Sequence, residues 1–171
     1  MTGHLARLGA AAAAALLANA CARVSPVSRP SPDGASRIYS VAGLSFEAPS
    51  DWSADGSPRQ VKLVSPGGDA RLEVRATAVP GPVATCLSGA EDALARGASS
   101  LEGVRRHPTT FAGKKAVAQE ADQSGWHGWA WATCDGGEQY RVWIAGRAPV
   151  SRQTIEAHRL LVATARLGGS P

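Results

Sequence analysis

No run of like charge, no apolar stretch long enough to span a bilayer and no internal repeat occurs in these 171 residues. Lys and Arg number 18 against 14 Asp and Glu, a formal charge of +4. Basic residues scattered this way leave no electrostatic footprint for nucleic acid, so no nucleic-acid partner is expected. With 44% apolar and 19% charged residues and a mean hydropathy of −0.12, the composition is globular. It excludes a wholly disordered chain and a multi-span membrane protein, and the length suits one domain. Asparagine and methionine occur once each, and 15 of the 18 cations are Arg. That skew reads as a GC-rich coding bias rather than as chemistry.

Catalytic signatures are missing as well. There is no G-x-S-x-G, no glycine-rich phosphate loop and no C-x-x-C. His107, His127 and His158 stand alone, without H-x-H or H-x-x-x-H pairing, and no Cys has a second Cys or His at ligand spacing. Neither a metal nor a cofactor is expected, and the chain reads as a non-enzyme. Gly67-Gly68 reads as a hairpin turn, and Arg105-Arg106-His107 as a solvated basic patch on a strand, with anionic lipid or cell-wall polymer as the alternative contact.

What is present begins with an export signal over residues 1–20. Arg7 supplies a positive flank, and Leu8 to Ala18 is uncharged. Such a run is about 16 Å long as a helix, short of a bilayer core of about 30 Å. Leu16-Leu17-Ala18-Asn19-Ala20-Cys21 resembles the lipobox of bacterial lipoproteins. The resemblance implies cleavage after Ala20 and acylation of Cys21, which would anchor the chain to a membrane. The sequence has Ala18 where the family usually has Leu, and Asn19 where it has a small residue. An ordinary signal peptidase site after Ala20 or Ala22 is the alternative, and it would make the protein secreted.

Cysteine arithmetic agrees with export. Of Cys21, Cys86 and Cys134, the first goes to lipid or to the discarded signal. The other two are then free to form a disulfide in an oxidising compartment, closing a loop of about 48 residues; two buried thiols are the alternative. Residues 21–36, rich in Pro and Ser, read as a tether behind the anchor.

One α+β domain is expected over 37–168, with 169–171 as a tail. Strand pieces at Ile38–Val41 and Leu44–Glu47 break at Gly43, another strand runs Val61–Ser65, and Leu72, Val74, Ala76 and Ala78 alternate with polar residues in the next. After Pro80-Gly81-Pro82 a helix carries Val83, Leu87, Ala90 and Leu94 at helical spacing, with Cys86 beside the stripe. Residues 103–121 read as two strands joined near Ala112-Gly113, and Trp126–Thr133 with Gln139–Ile144 as a hairpin. Ser151 caps a last helix to about Ala165, with Ile155, Leu161 and Val162 inward. The order β-β-β, α, β-β-β-β, α predicts an antiparallel sheet with helices packed on it.

The run Gly43-Leu44-Ser45-Phe46-Glu47-Ala48-Pro49-Ser50-Asp51-Trp52 resembles the opening of PsbP-like domains, and Phe111-Ala112-Gly113-Lys114 and Tyr140-Arg141-Val142 fit the same outline. The resemblance spans about 37–168 and implies an α/β/α sandwich with a non-enzymatic accessory role. It transfers no catalytic residue.

Five tryptophans are the remaining signal, four of them at 126, 129, 131 and 143. Strand alternation puts Trp129, Trp131, Tyr140, Val142 and Ile144 on one face, read as core, and Trp143, Arg141, Ala130, Ala132 and Cys134 on the other. The small-residue lane of Ala130 and Ala132 has room for the Cys86 helix. Trp126 and His127, at the strand's outer end, are the candidate binding residues. Three functions follow. The first is a lipid-anchored envelope protein with a binding or accessory role, whose partner is an envelope protein or glycan. The second is a soluble secreted module binding a small ligand or glycan. The third is a hydrolase with a site assembled across loops.

Overall fold

The computed structural model describes residues 26–97 and 100–168. The export signal, the acylation site at Cys21 and the 169–171 tail lie outside the described residues.

Among the described residues eleven strands and two helices follow one another: β1 (Ser28–Pro30), β2 (Ser36–Val41), β3 (Leu44–Pro49), β4 (Ser53–Ser57), β5 (Gln60–Val64), β6 (Ala70–Ala78), α1 (Val83–Gly97), β7 (Glu102–Phe111), β8 (Lys114–Gln123), β9 (Trp126–Asp135), β10 (Glu138–Arg147), α2 (Arg152–Thr164) and β11 (Arg166–Leu167). They form a four-stranded sheet, β1-β2-β3-β11, and a seven-stranded sheet, β4-β5-β6-β10-β9-β8-β7. All described strand pairs are antiparallel. The expected α+β class, an antiparallel sheet with helices packed on it, is what the chain adopts.

Local sequence explains the meander. Ala42-Gly43, Ala112-Gly113, Ser124-Gly125 and Gly136-Gly137 each hold two consecutive positive φ angles. Two-residue turns of that kind match the right-handed twist of the strands they join. In β6 the alternation predicted from sequence is realised, with Leu72, Val74 and Ala76 buried and Arg71 and Arg75 exposed. Pro108 sits on β7, an edge strand, where a missing N–H costs the ladder least.

The two faces of the large sheet are closed differently. On one, Val61, Leu63, Leu72, Val74, Val142, Ile144 and Trp131 meet Tyr39, Val41, Leu44 and Phe46 of the small sheet and Ala157 and Leu161 of α2 in a single core. Trp52, from the Pro49-x-x-Trp52 motif, is buried within it. Tyr140 ties the layers together: its hydroxyl, 2.5 Å away, donates to the Ala42 carbonyl at the β2–β3 turn. Burial raises the pKa of Tyr140 and of Tyr39. On the opposite face α1 lies across β8, β9 and β10. Cys86 and Cys134 are disulfide-bonded there, with Cα atoms 6.2 Å apart.

Besides the added strands β4 and β11, three features depart from the sequence reading. The sheet begins at Ser28, inside the stretch read as tether, because Ser28–Pro30 pairs with Arg37–Tyr39 of β2. In α2 only Leu161 of the expected inward residues is buried; Ile155 and Val162 are exposed, and the inward face is Thr154, Ala157 and Leu161. Close packing on β10 accounts for that phase, since a Cβ built on Gly146 would lie 2.8 Å from the Thr154 side chain. In α1 Val83 is exposed, and Cys86 and Ala90 are buried. The disulfide turns that helix so that the cysteine, rather than the Val83–Leu87 edge, faces the sheet.

Candidate functional site

Strand alternation separates the two residues proposed to bind. Trp126 and His127 are neighbours in β9, so their side chains leave the sheet on opposite faces. Trp126 joins the α1 side. The guanidinium groups of Arg71 and Arg147 lie over its ring, 5.1 and 5.6 Å from the centroid. His127 joins the α2 side, where its ring lies between two carboxylates, with Nδ1 2.7 Å from Asp122 and Nε2 3.0 Å from Glu120. No common pocket contains both.

The α2 side carries a packed aromatic–imidazole cluster. His127 meets Trp129 edge-on at 4.6 Å, and His158 of α2 lies 4.6 Å from Trp129 and 5.4 Å from Trp131. Burial lowers the pKa of His158, which opposes its protonation, with the Glu120 carboxylate acting in the other direction. Arg105 closes the group with an ion pair to Glu120 at 2.8 Å. The His127 ring is therefore committed to carboxylates and the His158 ring to stacking, so these side chains form a packed layer on this side of the sheet.

The Arg105-Arg106-His107 patch is divided in the same way. Arg105 turns to Glu120, Arg106 donates to Gln119 at 2.8 and 3.2 Å, and His107 is exposed. Three adjacent residues of a strand cannot present one basic surface.

The α1 side holds an open groove of about 470 Å³. One wall comes from Ala93, Leu94 and Gly97 of α1 and from Leu101. Gly128, Ala130 and Ala145 lie along its floor, and Trp126 and Trp143 rise from β9 and β10. Trp143 is 36% exposed. Arg75, Arg141, Glu73, Gln119 and Gln123 supply the polar groups of the lining. The groove exists because α1 is held close at Cys86 and Ala90 while the Gly128–Ala130 lane offers at most a methyl group to meet it further along. Clefts of about 300–1,000 Å³ with mostly apolar walls and a few polar groups are the usual form of a small-ligand site. The signal for it was in the sequence: an exposed-face Trp143 and Arg141 beside small residues, which the reading assigned to the correct face but did not treat as a site. Among the described residues no group of three His, Cys, Asp or Glu side chains is placed to hold a metal ion. No helix among them is long and apolar enough to cross a membrane.

Neither a protein-family model nor a curated protein matches the chain. Solved structures do. The solution structure of the cyanobacterial PsbP protein CyanoP from Synechocystis superposes with a TM-score of 0.53 at 12% identity, covering 94% of this chain and 98% of that one. The fold is PsbP-like. A Bacteroides thetaiotaomicron protein gives 0.51 at 12% identity over 86% of this chain, which spans half the length of that protein. LpqN, involved in cell envelope biogenesis of Mycobacterium tuberculosis, gives 0.49 at 13% identity, covering 72% of this chain and 82% of LpqN. At such identities the likeness concerns architecture, and the PsbP-like outline read from residues 43–52 is the architecture observed.

Proposed function

We propose that this chain is an exported envelope protein, held on a membrane through acylated Cys21, that acts by binding rather than by catalysis and binds in the groove between α1 and the large sheet. The groove carries the reading. It is the described cavity that combines an apolar floor, two tryptophans and the guanidinium groups of Arg75 and Arg141, while His127 and His158 on the other face are locked in packing. A disulfide supports the compartment, because such bonds persist where the surroundings are oxidising. The lipobox-like run ending at Cys21 supports the anchor: one acyl chain would give marginal retention, whereas several would give stable attachment.

Fractionation of the native host tests it. The wild-type protein is expected with the membranes and the Cys21→Ser protein in the soluble fraction. If both are soluble, the anchor is wrong and the groove belongs to a secreted binding module, the second reading that the same cavity favours.

A further inference from the structure

Four arginines gather on the groove's side of β6 and β10, and this clustering sets them apart, since Arg37, Arg106 and Arg159 elsewhere also lack an ion pair among the described residues. Arg59, Arg105 and Arg152 each pair with a carboxylate, Glu138, Glu120 and Glu156 respectively, at 2.5–2.8 Å. Arg71, Arg75, Arg141 and Arg147 form no ion pair among the described residues, although all four project from the α1 side of β6 and β10. Arg75 and Arg141 are direct cross-strand partners. Like charges in that position repel and destabilise the pair. The one carboxylate in the groove lining, Glu73, already accepts a hydrogen bond from Gln60 at 2.6 Å. Arg71 and Arg147 add two more guanidinium groups over Trp126 at the groove's end. A plainly solvated sheet face would account for the charges, but not for Trp143 standing half-open beside Leu94 and a floor of Gly128, Ala130 and Ala145.

We propose that the groove takes an amphipathic anion, with its apolar body on the Gly128–Ala130–Ala145 floor against Trp143 and Leu94 and its anionic head, a carboxylate or a phosphate ester, at Arg75 and Arg141. A guanidinium fork matches either head in a bidentate, charge-assisted geometry. An anion there also relieves the Arg75–Arg141 repulsion, so binding and fold stability are coupled with the same sign. The inference rests on the groove being the binding surface.

Calorimetric titration of the oxidised full-length mature protein tests both, using decanoate, decyl phosphate, decanol and inorganic phosphate below micellar concentrations. One or both decyl anions are expected to bind at least tenfold more tightly than decanol, and the tighter one identifies the head group. Arg141→Gln is expected to weaken the anion about tenfold and leave decanol unchanged, Trp143→Ala to weaken every decyl probe, and Arg152→Gln, on α2, to change nothing. Decanol binding as tightly as the anions, with no effect of Arg141→Gln, overturns the anionic head while leaving the groove as the site. Inorganic phosphate binding as tightly as decyl phosphate overturns the apolar body. Probe binding that is absent, or indifferent to Trp143→Ala, overturns the groove reading and this inference together.

Discussion

Removing the Cys86–Cys134 disulfide by the double substitution Cys86→Ala/Cys134→Ala is expected to cost about 4 kcal/mol of stability in the chain-entropy model. The cross-link joins residues 48 apart in sequence, and the closed loop contains β7, β8 and most of β9. Opening it restores that freedom to the unfolded chain. The loss is not expected to be spread evenly over the native state. Helix α1 has 15 residues and buries only Cys86 and Ala90, and isolated helices of about 12–15 residues are marginal in water. The sheet beneath it is held by ladders on both sides of β9 and by the core on its other face. Without the cross-link, α1 is therefore expected to open locally while the sheet persists.

Denaturant unfolding gives the global figure, and native-state hydrogen exchange gives its location. The double variant is expected to lose about 4 kcal/mol in unfolding free energy. Amides of Leu87–Leu94 are expected to lose protection by a larger factor than those of Val142 and Ile144. Reduced wild-type protein is the control, since it opens the loop without removing either sulfur. A loss under about 1 kcal/mol with α1 protection unchanged would show that helix packing, not the cross-link, holds this wall of the groove.

Three further outcomes follow from the packing. Gly146→Ala places a Cβ 2.8 Å from the buried Thr154 side chain, so thermal melting should show a loss of about 1–3 kcal/mol; an unchanged Tm would mean that α2 is not seated on β10 as described. Tyr140→Phe leaves the Ala42 carbonyl without its hydroxyl donor and should cost about 1–2 kcal/mol in urea unfolding, whereas a neutral result would remove this link between the two sheets. For His158, burial holds the folded-state pKa below the unfolded value of about 6.5. Its contribution is complete above that pH and is lost as pH falls through the folded pKa, so His158→Phe should gain on wild type between pH 7.5 and pH 5. Stability curves that stay parallel over that range would contradict the burial argument.

Much of the fold was legible because its strongest signals are local. The alternation in Leu72–Ala78 and the Gly136-Gly137 turn each specify one element, and period two assigned Trp129, Trp131 and Trp143 to their faces without knowledge of the exact register. Elements whose reasons are tertiary were not legible. β4, Ser-Ala-Asp-Gly-Ser, has no apolar alternation; it is a strand because β5 offers it a ladder. β1 and β11 are likewise short edge additions. The α2 phase escaped because Ile155 and Val162 look like core residues, while contact with Gly146 selects Thr154. At the candidate groove, Trp126 lines one end while His127 lies on the other face of the sheet, because adjacency in sequence conceals the opposite directions of their side chains.

The two faces of the large sheet show why a binding groove lies where it does. Both faces carry ten-residue strands, β7 to β10, each about 33 Å long at roughly 3.3 Å per residue. The core face is matched by the small sheet together with α2, and its large side chains are buried apart from the partly buried Trp129. The other face receives one 15-residue helix, about 22 Å at roughly 1.5 Å per residue, anchored at its first turn by Cys86. A single helix cannot cover that area. What it leaves open is the Trp126–Gly128–Ala130 end of β9 and the Arg141–Trp143 stretch of β10, bordered by Arg71 and Arg75 of β6, which form no ion pair among the described residues. Had this surface been selected only for solubility, Trp143 would be a liability there. Pairing an exposed indole with uncompensated guanidinium groups is instead the combination that a ligand with both an apolar and an anionic part would complete.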